Sequence, residues 1–200
     1  MGSDGIGGLD WFGDDCLAYH GRRISRIRLL GSLLTSPGLQ AVALIRLAGT
    51  VGSVFGAPAG RFVLALCHLV TGADVAWGAQ LGSGLVMRHP TGVVIGKGAV
   101  VGTRCTILQG VTLGERSGDG SGVPGYPRVG SGVVLSAHAA VLGPIRVGDR
   151  STVGANAVVV ADVPADSTAV GVPARILSGN GNTEDGLGSR TLGTEVSPGA

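Results

Sequence analysis

The sequence lacks the features that direct a chain to metal ions, redox chemistry, nucleic acid or a membrane span. Its 200 residues include three cysteines, whose spacing matches neither a metal site nor a redox motif, so we expect reduced thiols in a cytoplasmic protein. A formal net charge of +2 gives no electrostatic reason to expect nucleic acid as a partner. The early aspartates, from Asp4 to Asp15, argue against a signal peptide, and the apolar run from Phe62 to Val70 is too short to cross a bilayer.

What the sequence has instead is abundant glycine, with 38 residues, and a repeat of six residues. Aliphatic residues recur every sixth position, with one interruption after Leu113; they are Ile95, Val101, Ile107, Leu113, Val129, Leu135, Val141, Val147 and Val153. Glycine usually follows each of them, and a small or β-branched residue usually lies four places later. A period of six fits neither a helix nor simple alternation. It is typical of a solenoid of short strands, in which three strands close a triangular coil of about 18 residues.

Three weaker repeat positions, Val75, Leu81 and Met87, extend the pattern backward by one coil, with a slip of two residues before Ile95. About four coils are therefore expected between Val75 and Val160. The aliphatic residues would fill the prism, and neighbouring coils would pair as parallel strands, because no single coil buries enough apolar surface alone. The sequence thus predicts a mainly β protein: a parallel β-helix of hexapeptide repeats with a short N-terminal helical region.

Three helices are expected before the repeat, and they would cover the open end of the prism. The first, from Leu17 to Leu34, is amphipathic with a basic face, which is more often a solvated face than a contact with an anionic membrane surface. The second runs from Leu39 to Val54 and the third from Arg61 to Val70. The expected divisions are a flexible N-terminus at 1–15, a helical cap region at 16–71, a β-helix domain at 72–177 with a loop at 115–128, and a disordered tail at 178–200.

Asp74 and His89 are the polar residues of the first coil on which a catalytic hypothesis can be built. They are 15 residues apart, close to one turn of an 18-residue coil, so stacking can place them on neighbouring levels of one corner. His89 follows Met87 by two places and should point outward. A solitary histidine is more often structural, but a histidine with a carboxylate one coil away is equally well explained as a catalytic pair.

Three segments resemble the serine acetyltransferases of the hexapeptide-repeat acyltransferase family: His89–Gly96 (HPTGVVIG), Ile107–Gly114 (ILQGVTLG) and Ala169–Ile176 (AVGVPARI). The slip of two residues before Ile95 is also shared, and the likeness covers about residues 35–177. The resemblance implies a left-handed β-helix and an acetyl-CoA-dependent O-acetyltransferase. It places the family's catalytic histidine on His89 and its partner aspartate on Asp74.

The resemblance also implies a mechanism and a cofactor site. His89 would take the proton of the acceptor hydroxyl while Asp74 holds the imidazole, and acetyl transfer would be direct, without an acyl-enzyme and without a metal. Acetyl-CoA would lie in a groove between two prisms of a homotrimer. The residues implied at this groove are Gly114, Ala137 and Ala155, with Arg175 or Lys97 near the phosphates.

Three departures from the family pattern concern the acceptor. Arg88 replaces the aspartate that precedes the catalytic histidine, Gly125-Tyr126 replaces an Arg-His pair before Pro127, and a third aspartate, about fifteen residues before Gly38, is replaced by basic residues. Arg88 and Tyr126 are therefore the candidate acceptor-binding residues. An acceptor other than serine, such as a sugar or a polysaccharide precursor, is expected, with serine itself as the alternative. The family's C-terminal isoleucine is absent, so a complex with cysteine synthase is not expected.

Three further hypotheses remain open at this point. N-acetylation of an amino sugar would need no strong base. A metal-dependent hydratase would need three histidines meeting at a subunit interface, and only His89 and His138 lie on the coils. A non-catalytic scaffold would be favoured if Asp74 and His89 lay far apart.

Overall fold

The fold begins with helices and continues as short strands, as the change of period in the sequence indicates. The computed structural model describes residues 11–22, 25–116 and 125–177, without the side chain of Arg26. Its helices are α1 (Phe12–His20), α2 (Arg26–Thr35), α3 (Pro37–Phe55) and α4 (Ala57–Thr71). Its strands are β1 (Asp74–Val75), β2 (Gln80–Leu81), β3 (Val86–Arg88), β4 (Val94–Ile95), β5 (Val100–Val101), β6 (Thr106–Leu108), β7 (Thr112–Gly114), β8 (Arg128–Val129), β9 (Val134–Leu135), β10 (Ala140–Leu142), β11 (Arg146–Val147), β12 (Thr152–Val153), β13 (Val158–Val159), β14 (Thr168–Val170) and β15 (Arg175–Leu177).

The strands form three sheets, one for each face of a triangular prism. Sheet 1 has the order β1-β4-β7-β10-β13, sheet 2 the order β2-β5-β8-β11, and sheet 3 the order β3-β6-β9-β12-β14-β15. Consecutive strands of a sheet pair in parallel, apart from the last pair, β14 and β15. This topology confirms the predicted parallel β-solenoid with N-terminal helices.

The register shows where the repeat is regular and where it is not. Val94 pairs with Thr112, so one coil takes 18 residues here, as the hexapeptide period predicts. Asp74 pairs with Val94, 20 residues on, which confirms the two-residue slip before Ile95. Thr112 pairs with Ala140, so the coil that contains the loop is ten residues longer than the regular one. The middle of that loop, residues 117–124, lies outside the described residues.

The interior of the prism is built from the repeat positions. All twelve predicted inward aliphatic residues, from Val75 to Val153, are buried, and so are the small residues at the corners. Cys105 is one of these small corner residues and is fully buried. Because each coil covers the apolar interior of the next, stability is shared along the stack.

The helical region differs from its prediction at one place. The prediction of a single helix between Leu17 and Leu34 is wrong, because the structure has two helices there. Helix α1 ends at His20, where Gly21 takes the left-handed conformation (φ 67°) that closes a helix, and α2 begins at Arg26. Helix α1 also begins at Phe12, inside the segment expected to be loose. The reason is a tertiary contact, since Asp15 of α1 is buried against α3.

Helices α1 and α3 cover the first coil through a buried ion pair. The Asp15 carboxylate accepts hydrogen bonds from Arg46 Nε (2.8 Å) and Arg46 Nη2 (3.1 Å), and both side chains are fully buried. Asp15 also accepts from the backbone N–H of Leu85, while Arg46 donates to the carbonyls of Leu81 and Gly82. The pair therefore satisfies backbone groups at the exposed edge of the first coil, which have no preceding coil to bond to.

Helix α3 is long and apolar enough to cross a membrane by length and composition alone. Its face from Leu39 to Ala48 is buried, however, and Arg46 in its middle forms the ion pair with Asp15. We therefore assign α3 as a packed helix of the cap. At the other end of the prism, β15 turns back and pairs antiparallel with β14, and the segment 178–200, predicted to be disordered, lies outside the described residues.

Candidate functional site

The site is built on one edge of the prism, where the chain passes from sheet 3 to sheet 1. We call this edge the site corner; its turns are Thr91-Gly92, Gln109-Gly110, Ala137-His138 and Ala155-Asn156. Backbone hydrogen bonds stack these turns directly on one another. They run from Gly92 N to Gly72 O (3.0 Å), Gly110 N to Thr91 O (3.1 Å), His138 N to Gln109 O (2.8 Å) and Asn156 N to Ala137 O (2.9 Å).

His89 leaves strand β3 at the first level of the site corner. It is exposed and has a positive φ of 56°, and together with Pro90 it occupies the two-residue slip. His138 and Asn156, at later levels of the site corner, and Arg104, at a different corner, adopt the same left-handed conformation. The backbone angle is therefore a property of tight corners in this solenoid and is not by itself a sign of catalysis.

Asp74 begins strand β1, next to the site corner. Its backbone N–H donates to the carbonyl of Val93 (2.8 Å), four residues after His89, and its side chain is exposed. The structure thus brings Asp74 and His89 to the same corner on neighbouring coils, as the spacing predicts. Within one chain, no hydrogen bond or ion pair joins their side chains among the described contacts. The carboxylate lines a cavity of about 310 Å³ between α4 and the first coil, together with Arg61, His68 and Trp77.

Arg88 lies beside His89 and is supported by a residue that the sequence analysis missed. Its guanidinium lies 5.4 Å from the centre of the Tyr19 ring, a cation–π distance. Tyr19 in turn packs against α3 at Gly38, where a side chain would collide with the carbonyl oxygen of Met87. Helix α1 therefore reaches the site corner, although nothing in the periodicity of the sequence marks Tyr19.

Tyr126 is not brought to His89 within one chain. Its ring packs over Gly96 and Gly98, at the corner between sheets 1 and 2. Side chains at these two glycines would collide with the ring, so both are required for the contact. The two candidate acceptor-binding residues, Arg88 and Tyr126, thus lie at different corners of the same prism.

The candidate cofactor residues also lie at two different corners of the prism. Ala137 and Ala155 lie at the third and fourth levels of the site corner, and Arg175 follows the turn at Gly171–Ala174 that continues the corner at a fifth level. Gly114 ends β7 at the opposite edge of sheet 1, where its carbonyl accepts from Gly143 N (3.0 Å). Lys97 packs over Gly78 at that same opposite edge.

At the second level of the site corner, the buried Oε1 of Gln109 has no hydrogen-bond partner among the described residues.

The three cysteines are poor candidates for a nucleophile, and the described residues contain no cluster of metal ligands. Burial raises the pKa of the Cys16 thiol to about 11, with a further contribution from the charge of Asp15. Burial also raises the pKa values of Cys67 and Cys105. Within residues 11–22, 25–116 and 125–177, no three His, Cys, Asp or Glu side chains come together as metal ligands.

Comparison with known proteins places these features among acetyltransferases. No protein-family model matches the chain. A serine acetyltransferase of Synechococcus elongatus is 41% identical over 155 residues, which cover 78% of this chain and 63% of the relative. One of Helicobacter pylori strain J99 is 41% identical over 146 residues, which cover 73% of this chain and 84% of the relative.

A solved serine acetyltransferase in complex with CoA has the same fold as this chain. The two superpose with a TM-score of 0.70 and 31% sequence identity, covering 84% of this chain and 69% of that structure. The likeness therefore includes both the helices and the solenoid. The chain spans less than two thirds of the length of the Synechococcus relative.

Proposed function

Since the chain belongs to the serine acetyltransferase family, we propose that it transfers the acetyl group of acetyl-CoA to the hydroxyl group of a small acceptor, with L-serine as the first acceptor to test. The observation that carries the proposal is the stacking of Asp74 and His89 on neighbouring coils of one corner. Directly along that corner lie the small residues Ala137 and Ala155. A base, a carboxylate and two small residues are thus aligned on one edge.

His89 acts as the general base in this proposal. An alcohol is a poor nucleophile near neutral pH, and an imidazole of ordinary pKa near 6.5 can accept its proton as it attacks the thioester. Asp74 is the partner that favours one imidazole tautomer and stabilises the imidazolium that forms. Because no hydrogen bond joins the two side chains in the isolated chain, we assign this contact to the assembled, substrate-bound enzyme.

The acetyl group passes directly from CoA to the acceptor. The acceptor oxygen forms the new bond to the thioester carbon, and the CoA thiolate leaves and takes up a proton. No cysteine takes part, because the three thiols are buried and their pKa values are raised, so none supplies a thiolate at neutral pH. Backbone N–H groups of the corner are suited to receive the charge on the tetrahedral oxygen.

Acetyl-CoA is proposed to lie along the site corner, with its thioester at His89 and its phosphates toward Arg175. These residues lie at the first and fifth levels of the corner, so four strand spacings of about 4.8 Å separate them, a span of about 19 Å. This length suits an extended pantetheine arm. Ala137 and Ala155 leave room for the arm against the backbone. A second prism would close the other side of the groove, so we propose a homotrimer as the working assembly, located in the cytoplasm.

Arg88 is the residue through which serine can still be bound. Serine carries a carboxylate, and a guanidinium next to the catalytic histidine can pair with it at the place where the family has an aspartate. A second candidate function is acetylation of another alcohol, such as a sugar. The sequence Gly125-Tyr126 favours it, because it replaces the Arg-His pair that the resemblance implies for serine binding.

The test is the release of free thiol from acetyl-CoA with L-serine and then with a panel of sugars and hydroxy metabolites. Replacing His89 by alanine should lower kcat by about 10²- to 10⁴-fold, the usual contribution of a general base. Arg104→Ala is the matched control, because the exposed Arg104 has the same left-handed conformation at a different corner. It should retain turnover within a few-fold.

The acceptors separate the two candidate functions. His89-dependent turnover with L-serine, together with a tenfold or larger rise in the KM for serine in Arg88→Ala, would support serine acetylation. His89-dependent turnover with another alcohol alone would support the second candidate. Equal kcat values for wild type and His89→Ala with every accepted alcohol would contradict the proposed mechanism.

A further inference from the structure

The charge of the chain is divided unequally between its helices and its solenoid. From Cys16 to Ala73 the sequence has six arginines and no aspartate or glutamate. All thirteen acidic residues therefore lie elsewhere, where they outnumber the other nine basic residues. Six of these acidic residues lie in the solenoid (72–177) beside eight basic residues, so the solenoid has a formal charge of +2, whereas the shorter segment 16–71 has +6, with Arg46 paired to Asp15. A concentration of positive charge in one region is typical of chains that bind an anionic partner.

Helix α2 combines this positive charge with an apolar stripe that faces solvent. Ile27, Leu30 and Leu34 follow one another at i, i+3 and i+7, so they lie on one face of the helix. They are 85%, 61% and 74% exposed. Arg28 is exposed beside them, and the helix has no acidic residue in its first turn. A solvated helix would carry polar residues on this face.

Helix α4 presents a second stripe of the same kind. Phe62, Leu66 and Leu69, at i, i+4 and i+7, are all exposed, with Phe62 66% and Leu69 79% exposed. Phe55, at the end of α3, is also exposed, and Arg61 precedes Phe62. The opposite face of α4 packs on the prism through its buried residues Val63, Leu64 and Cys67. The exposed face is therefore not part of the core of the described chain.

We propose that the helical cap, residues 16–71, binds an anionic lipid surface, on which its exposed apolar side chains insert between headgroups while its arginines contact the phosphates. Nucleic acid fits less well than a lipid surface. Its phosphates could pair with the arginines, but it has no apolar layer in which the exposed leucine and phenylalanine side chains could be buried. A second copy of the cap would bring two faces of like charge together. We do not propose that α3 crosses the membrane, because Arg46 in its middle forms a buried ion pair with Asp15.

Binding in this orientation would bring the candidate site near the lipid surface. Helix α4 forms one wall of the cavity that contains Asp74, and α1 supports Arg88 beside His89. An acceptor presented at a membrane would then reach the site corner without leaving the surface. The lipid-binding proposal itself does not depend on the proposed acetyl transfer and is tested without it.

The experiment is co-sedimentation of the full chain with vesicles of neutral phosphatidylcholine alone or mixed three to one with anionic phosphatidylglycerol. We expect binding to the anionic vesicles that weakens as the salt concentration rises, because screening removes the attraction. The double variant Arg28→Gln/Arg61→Gln should bind about 25-fold more weakly, about fivefold for each arginine. The double variant Phe62→Ser/Leu69→Ser should lose about tenfold or more for each side chain that no longer inserts.

Matched controls lie on the solenoid. Arg128→Gln/Arg146→Gln removes the same charge from exposed strand residues, and Val172→Ser removes an exposed apolar side chain far from the cap. Both controls should bind as the wild type does, and circular dichroism confirms that each variant is folded. Equal binding to neutral and anionic vesicles, or equal weakening by the solenoid controls, would overturn the proposal. It would also be overturned if Phe62→Ser/Leu69→Ser left vesicle binding unchanged but reduced the mass of the assembly in light scattering, since a second copy would then cover this face.

Discussion

Replacing Asp15 by alanine should be one of the most destabilising single changes in the helices α1 to α4. The Asp15 carboxylate accepts two hydrogen bonds from Arg46 and one from the Leu85 N–H, all at 2.8 to 3.1 Å. The guanidinium stays buried in the variant, still held by the carbonyls of Leu81 and Gly82. A buried charge whose partner has been removed typically costs about 3–5 kcal/mol of unfolding free energy. The unpaired Leu85 N–H acts in the same direction.

The measurement is urea unfolding followed by circular dichroism at a fixed protein concentration, because an assembling chain has a stability that depends on concentration. Asp14→Ala is the matched control: it removes the same charge from the same helix, but Asp14 is exposed, so we expect a loss below about 1 kcal/mol. Asp15→Asn should lie between the two. If Asp15→Ala cost no more than Asp14→Ala, the buried pair would not be what holds α1 and α3 on the first coil.

Three other predictions follow from single contacts. Gly38→Ala should lower the free energy of unfolding by about 1–3 kcal/mol, measured by heat or urea, because the new Cβ would collide with the backbone carbonyl oxygen of Met87. Gly31→Ala is the control: the space around Gly31 on α2 is open, so this variant should be neutral or stabilising. The three buried thiols, with raised pKa values, should react with a thiol reagent at pH 8 only after unfolding in guanidinium; rapid labelling of the native chain would refute this. The Arg150 guanidinium lowers the pKa of Asp166, so this exposed pair stabilises the fold at neutral pH, and the contribution is lost as the pH falls through that lowered pKa. Asp166→Asn should therefore destabilise slightly at pH 7, and its difference from the wild type should shrink as the pH is lowered below the ordinary aspartate pKa of about 3.9.

The solenoid was predictable because its signal is local and repeated. Each coil shows an inward aliphatic residue every six positions, so an exception at one position does not obscure the pattern formed by the others. The same regularity made the neighbourhood of Asp74 and His89 predictable, because stacking converts a spacing along the sequence into a position in space. Their side-chain contact was not predictable, since it depends on what occupies the corner as well as on the backbone.

The helical cap was less predictable because its organisation rests on long-range contacts. The break after His20 needs only Gly21 as a local signal, but Asp15 is held by Arg46, 31 residues away. Periodicity therefore assigned the start of α1 to a loose terminus. The position of Tyr126, the second candidate acceptor-binding residue, was unpredictable for the same reason. Its ring packs over Gly96 and Gly98, which lie on another coil, and the sequence near Tyr126 gives no sign of this contact.

Helix α1 links the stability of the cap to the chemistry proposed at the site corner. Asp15 and Tyr19 are four residues apart, so they lie on the same face of α1, and they meet the first coil at two places: Asp15 at Leu85 and Tyr19 at the guanidinium of Arg88. A change that loosens the Asp15 contact must also loosen the ring that supports Arg88. If Arg88 binds the acceptor, Asp15→Asn should raise the KM for the acceptor while leaving the affinity for CoA unchanged, because Ala137, Ala155 and Arg175 lie on later coils that α1 does not touch. Equal changes in both constants would mean that the variant disturbs the whole solenoid, and an unchanged acceptor KM would remove Arg88 from the acceptor site.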